Sequence, residues 1–193
     1  MNLKKIAILA SGSGSNAENL ISYFNQHDTA KVVFVLTNNP HAGVINRCKR
    51  LAVPVFVMAN SEFENPDNVL QLLNKNQVDV IVLAGFLRKI HPRLIDAFPN
   101  SMINIHPALL PSFGGKGMYG DKVHQAVINA KEKESGISIH FVNDEYDEGK
   151  IIFQAKCAVD KDETVLSLAE KIHQLEHQHF PKVLEQLLLN TSN

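Results

Sequence analysis

The chain has 193 residues, 45% of them apolar, and 19 basic against 20 acidic side chains leave a net charge of −1. That length buries the core of one domain without covalent staples, and the near-neutral balance offers no positive field to nucleic acid or an anionic membrane. Cys48 and Cys157, the only cysteines, exclude a disulfide framework and a multi-cysteine zinc site.

No apolar run nears the roughly 20 residues of a membrane span. The five apolar residues Ile6–Ala10 fall short of the ~7–15 of a secretory h-region, so a cytoplasmic globular protein is expected.

In chain order, Lys5–Ala10 reads as a first strand, followed by the loop Ser11–Asn16. Ala17, Leu20, Ile21 and Phe24 then recur at helical spacing. Strands are expected over Lys31–Thr37 and Val53–Met58. Pro66 opens a helix carrying Val69, Leu70, Leu72 and Leu73. Val78–Ala84 and Ser101–Ile105 are the fourth and fifth strands, and Asp121 caps a helix through Val123, Ala126 and Val127. Gly136–Val142 and Lys150–Ala158 are joined only by Asn143–Gly149, too short for a helical crossover, so they form an antiparallel hairpin. Thr164 opens a final helix with Leu168, Ala169, Ile172, Leu175, Phe180, Val183 and Leu187 inward, which Pro181 should kink or interrupt. The first five strands are nearly continuous in Ile, Val, Leu and Ala, the pattern of strands buried on both faces. The fold class is therefore α/β, a doubly wound, mostly parallel twisted sheet of about seven strands. No linker divides the chain.

Ligands of open α/β sheets bind beyond the carboxyl ends of strands, where three loops carry unusual residues. In Ser11-Gly12-Ser13-Gly14-Ser15-Asn16, glycines let the backbone approach an anion at a helix N-terminus. With Ala17 the loop fits G-x-G-x-x-A, but Thr37-Asn38-Asn39 ends the second strand without the carboxylate a dinucleotide ribose wants. The loop also lacks the lysine of a P-loop, and it would serve equally as a capped turn. Gly85-Phe86-Leu87-Arg88-Lys89-Ile90 mixes apolar groups with charge, as a pocket for a flat ligand does, or a loop folded onto the core. In Asn104-Ile105-His106-Pro107, period two puts the amide and the imidazole on one face. Such a pair can stabilise an oxyanion and exchange a proton, or simply bond to itself. The hairpin loop Asn143–Gly149 holds Asp144, Glu145, Asp147 and Glu148, a solvated turn unless one carboxylate orients His106.

His173-Gln174-Leu175-Glu176-His177 matches an inverted zinc-protease pattern, but Glu176 falls between Ile172 and Phe180 on the apolar stripe, and no metal site is expected. Buried there, its carboxylate needs a ligand amine or a structural Arg or Lys. His140, between Ile139 and Phe141, could face the region of His106 but reads more simply as a packed strand histidine.

The loops together resemble the phosphoribosylglycinamide formyltransferase family. The matching pieces are Ser11–Asn16, Ala84–Arg88, Asn104-Ile105-His106-Pro107-Ala108-Leu109-Leu110-Pro111, Ser138–Val142 with Asp147, and Glu176-His177, in family order over nearly the whole chain. The Asn-x-His-Pro-x-Leu-Leu-Pro segment is shared by other formyl-tetrahydrofolate enzymes, so it marks the chemistry more than the acceptor. The resemblance implies that Asn104, His106 and Asp147 are catalytic, with Asp147 keeping His106 charged. It implies that Gly14, Ser15 and Asn16 hold the ribose phosphate of the acceptor, with Pro107 against it and Glu176 at its glycinamide end. Leu87, Arg88, Lys89, Ile90, Asn143 and Asp144 would bind the folate. The implied co-substrates are 10-formyltetrahydrofolate and glycinamide ribonucleotide, with no metal and no nucleic acid, in a monomer or weak homodimer. Residues 1–193 would be one formyltransferase domain, 1–100 its phosphate-binding half and 101–193 its catalytic and folate-binding half. The chain is expected to lack the N-terminal regulatory domain of the related hydrolases and the C-terminal nucleic-acid-binding domain of methionyl-tRNA formyltransferases.

Three departures from the family pattern stand out. The loop Ser112–Gly120 is longer and richer in glycine and is expected to cover the acceptor. Glu148 stands where the family often has glycine, adding charge near His106. Phe63–Pro66 lacks an arginine that some members use for the folate tail, a place Lys89 could take.

Overall fold

A computed structural model describes residues 3–190. Seven strands form one sheet in the order β3-β2-β1-β4-β5-β6-β7: β1 (Lys4–Leu9), β2 (Ala30–Thr37), β3 (Val55–Val57), β4 (Val80–Leu83), β5 (Met102–His106), β6 (Glu134–Phe141) and β7 (Ile151–Ala158). The first five pair in parallel, whereas β5–β6 and β6–β7 are antiparallel. The chain order reverses between β1 and β4, which opens a crevice at their carboxyl ends.

Period two along the strands builds a core on each face. Ile6, Ile8, Val80, Val82, Ile103 and Ile105 join α1 (Ser15–Phe24), α2 (Val44–Arg50), α6 (Asp121–Asn129) and α7 (Val165–Asn190) in one cluster. Ala7, Leu9, Ile81, Leu83 and Met102 meet α3 (Asn60–Phe63), α4 (Pro66–Lys75) and α5 (Pro92–Ala97) in the other. The expected burial on both faces holds for the central strands but fails for β3. That strand is three residues long and pairs only with β2, and Phe56 and Val57 are 38% and 49% exposed. An edge position, not composition, sets its exposure.

Two helix boundaries also differ from expectation. Gly120, at φ +53°, precedes α6, and Asp121 is the first helical residue, not the cap. The helix α7 runs unbroken through Pro181. Proline removes one N–H and orphans the carbonyl four residues back, and here Nδ2 of Asn19 on α1 donates to that His177 carbonyl at 3.0 Å. Thr164 does open α7, since its Oγ1 accepts from Ser167 N at 3.1 Å while Ser167 Oγ accepts from Thr164 N at 3.0 Å.

Between β6 and β7 the chain turns back tightly. A Cβ on Gly149 would sit 1.7 Å from the Phe141 carbonyl oxygen, so only glycine fits.

Candidate active site

A cavity of about 540 Å³ lies beyond the carboxyl ends of β1, β4 and β5. Its first wall is the loop Gly12–Asn16. Gly14 takes φ +78°, and a Cβ there would meet Val44 at 2.4 Å, so glycine brings this turn against α2. No side chain caps α1, which leaves the positive end of the helix facing the cavity. Arg47 steadies the loop, its Nε donating to the Ser13 carbonyl at 2.8 Å.

The floor comes from β5 and the β6–β7 turn. Across the sheet Asn104 is in register with Leu83 on β4 and with His140 on β6. Its Nδ2 lies 3.0 Å from His140 Nε2 and donates to Asp147 Oδ1 at 3.3 Å. His140 Nδ1 lies 2.8 Å from the Phe141 carbonyl, and its Nε2 faces both Asn104 and, at 3.7 Å, Asp147 Oδ1. Asp147, held at φ +58°, turns its carboxylate inward. Its Oδ2 lies 3.4 Å from His106 Nδ1 and accepts from Gly115 N at 2.9 Å. Glu148 is exposed, as is Asp144, so Asp147 is the acid of this loop that faces His106.

The electrostatics of this cluster revise one expectation. Burial lowers the His106 pKa and outweighs the opposing influence of Asp147 and the Phe113 carbonyl. His106 is therefore neutral at neutral pH instead of being kept charged. Its Nε2–H donates to the Phe113 carbonyl at 2.8 Å. For Asp147, burial pushes the pKa up, but the contacts with His140, His106 and the Gly115 N–H together hold it below the usual range. The result is an anionic acid beside a neutral imidazole. Ser138 shapes the approach, donating to the Ala108 carbonyl at 2.7 Å and accepting from Leu110 N at 2.9 Å. It thereby fixes the turn that places Pro107 in the cavity wall.

A narrow crevice beside the floor is lined by Phe86, Arg88, Lys89, Ile90, Val142 and Asn143, among others. Leu87 lines the main cavity and is half exposed, and its backbone N–H donates to Ser11 Oγ at 3.0 Å. Asp144, expected at the folate, is exposed and lines neither this crevice nor the main cavity. Lys89 contacts Glu145 at 3.7 Å and lies 5.7 Å from the Tyr146 ring centre, so it braces the hairpin turn against the crevice.

The far wall belongs to α7 and α6. Glu176 is buried, and Asn16 Nδ2 donates to its Oε2 at 2.8 Å. Within the protein the partner of this carboxylate is thus an amide, not a structural Arg or Lys, which leaves the ligand amine as the other expected partner. Burial raises the Glu176 pKa, opposed by Asn16 and by His173. Asn16 Oδ1 is itself buried without a partner. Among the described residues, no group of three or more His, Cys, Asp or Glu converges as a metal site. His173 and His177 stack with ring centres 6.5 Å apart, while Glu176 turns to Asn16.

His140 was partly legible: alternation allowed it to face the region of His106, but its bond to Asn104 depends on the β5–β6 register. His124 escaped the sequence reading. His124 lines the cavity and is 3% exposed. Its signal was its place three residues before inward-facing Val127 on α6.

Comparison with known proteins agrees with this geometry. The formyl transferase family model matches residues 4–184. The chain is 38% identical to the chloroplastic phosphoribosylglycinamide formyltransferase of Arabidopsis thaliana, covering 94% of this chain and 64% of that one. To the Bacillus subtilis phosphoribosylglycinamide formyltransferase it is 35% identical, covering 96% and 95%. The crystal structure of glycinamide ribonucleotide transformylase 1 from Geobacillus kaustophilus superposes with a TM-score of 0.89 at 34% identity, over 97% of this chain and all of that one. The chain spans less than two thirds of the plant relatives' length, 64% and 61%.

Proposed function

From the chain's membership of the formyl transferase family, and within it of the phosphoribosylglycinamide formyltransferases, we propose that it transfers a formyl group from 10-formyltetrahydrofolate to the amine of glycinamide ribonucleotide in purine biosynthesis. The observation that carries this is the convergence of Asn104, His106 and Asp147 on the floor of one cavity, between an uncapped helix N-terminus and an apolar crevice.

In this reading Gly14, Ser15 and Asn16 hold the acceptor phosphate with backbone N–H groups and the helix dipole. Pro107 and Glu176 flank the rest of the acceptor. Burial favours the protonated form of Glu176, and in that form its carboxyl can donate as well as accept. The crevice suits a flat pterin, with apolar Phe86, Ile90 and Val142 for the ring and Arg88, Lys89 and Asn143 at its polar edges. Leu87 lies at the junction of crevice and cavity. Residues 1–100 thus supply the phosphate loop and 101–193 the catalytic groups, and the folate crevice draws on both halves. We place the reaction in the cytoplasm.

In this reading the chemistry runs as a formyl transfer between two amines. The neutral acceptor amine attacks the formyl carbon, forming the new C–N bond and a tetrahedral oxyanion. His106 Nε2–H stabilises that oxyanion from the place where it now donates to the Phe113 carbonyl. Asn104 adds a second donor by exchanging its longer bond, the 3.3 Å contact to Asp147 Oδ1, for the oxyanion. Asp147, directly or through a water, takes the proton from the attacking nitrogen and returns it to N10 of the folate as the N10–carbon bond breaks.

Steady-state kinetics of single variants test these roles. His106→Ala and Asp147→Asn should each lower turnover by about 10²–10³ with acceptor affinity largely kept. Near-normal turnover in both would refute the assignment.

A further inference from the structure

We propose that His124 binds the phosphate of the acceptor, an assignment that rests on the acceptor reading above. The ring belongs to α6, lies almost wholly inside the protein and lines the cavity into which the Gly12–Asn16 loop opens. Its Nδ1 is enclosed and has no hydrogen-bond partner. A buried polar atom left unpaired costs stability. Its helix neighbours on the inward stripe, Val123 and Val127, are apolar, so the core itself gives no reason for an imidazole. The reason lies on the cavity side. With no acceptor at Nδ1, a neutral ring keeps its proton on Nε2, the one nitrogen from which it can donate to a ligand.

The surroundings of that ring favour an anion. His173 on α7 and Lys116 from the glycine-rich loop line the same cavity, as does the uncapped N-terminus of α1. The charged and titratable groups acting on His124 are Asp121 on its own helix, His173 on α7 and His106 on β5. Burial holds the ring neutral despite Asp121, so in the free protein it is a neutral donor. Glu176, the carboxylate of this wall, is kept towards its neutral form and bonded to Asn16, so it does not repel such a ligand.

Two conservative variants separate a binding role from a packing role. The amide nitrogen of Gln reaches the position of Nε2, whereas that of Asn reaches only the position of Nδ1. His124→Asn should raise the KM for glycinamide ribonucleotide and the Ki of inorganic phosphate about tenfold, leaving kcat and the KM for formyl-folate unchanged. His124→Gln should restore most of the loss. Equal effects of Asn and Gln, or a loss shared by the folate, would overturn the assignment. So would weakened ribonucleotide binding with unchanged phosphate inhibition, which would move the contact to the sugar. Calorimetric titration with inorganic phosphate reads the same contrast without turnover. A wild-type protein that binds phosphate but formylates no ribonucleotide would refute the acceptor reading, and the titration would still decide the role of His124.

Discussion

His106 and His124 are both buried neutral, and that has a consequence for stability. Their folded pKa values lie below the unfolded value of about 6.5. As pH falls through that value the unfolded chain takes up protons that the folded chain refuses, so stability falls. Glu176, raised by burial, acts oppositely: its contribution is full below the unfolded carboxyl value of about 4.3 and fades as pH rises through its folded pKa. Thermal melts should show a falling Tm from about pH 7 to pH 5.5, and His124→Gln should flatten that slope. An unchanged slope would contradict neutral burial of this ring. At this scale the sequence was partly legible. Period two alone paired Asn104 with His106, because strand geometry follows from alternation. Which of four acids faces His106 was not legible, because the choice depends on a positive φ at Asp147 that composition does not encode.

Elements are held by bonds that cross from one to another. The rescue of Pro181 is the clearest case, since Asn19 on α1 supplies the donor that α7 lacks. Asn19→Ala should cost about 1 kcal/mol in urea unfolding. In a Pro181→Ala background, where residue 181 regains its N–H, the same substitution should cost much less. Equal costs in both backgrounds would remove the explanation. Gly149→Ala should destabilise by about 2–3 kcal/mol, because the new Cβ would press on the Phe141 carbonyl. Turnover should fall with it, since the same turn carries Asp147. A variant with wild-type stability would show that the turn yields more easily than its contacts imply. Local pattern predicted the seven strands and the helices α1, α4, α6 and α7, but not the short helices α2, α3 and α5. It failed at Pro181 and β3, where the outcome depends on a partner from a distant segment or on the lack of a neighbouring strand.

On the scale of the whole molecule, one sheet with a core on each face leaves a cavity of about 540 Å³ at the point where strand order reverses. The βαβ alternation made that fold legible, and the order of the loop motifs made the family legible. What stayed hidden were contacts between segments far apart in sequence, where Asn16 meets Glu176 and Leu87 meets Ser11, and the loop closure that sets the Phe113 carbonyl on the donor of His106. These contacts join the Gly12–Asn16 loop, the apolar crevice and the floor of β5 around one cavity. The most direct test follows the formyl group of labelled 10-formyltetrahydrofolate with and without glycinamide ribonucleotide. Label appearing on the ribonucleotide, and only in its presence, is the predicted result. Release of free formate without acceptor, or no consumption of formyl-folate by folded protein in either mixture, would contradict it.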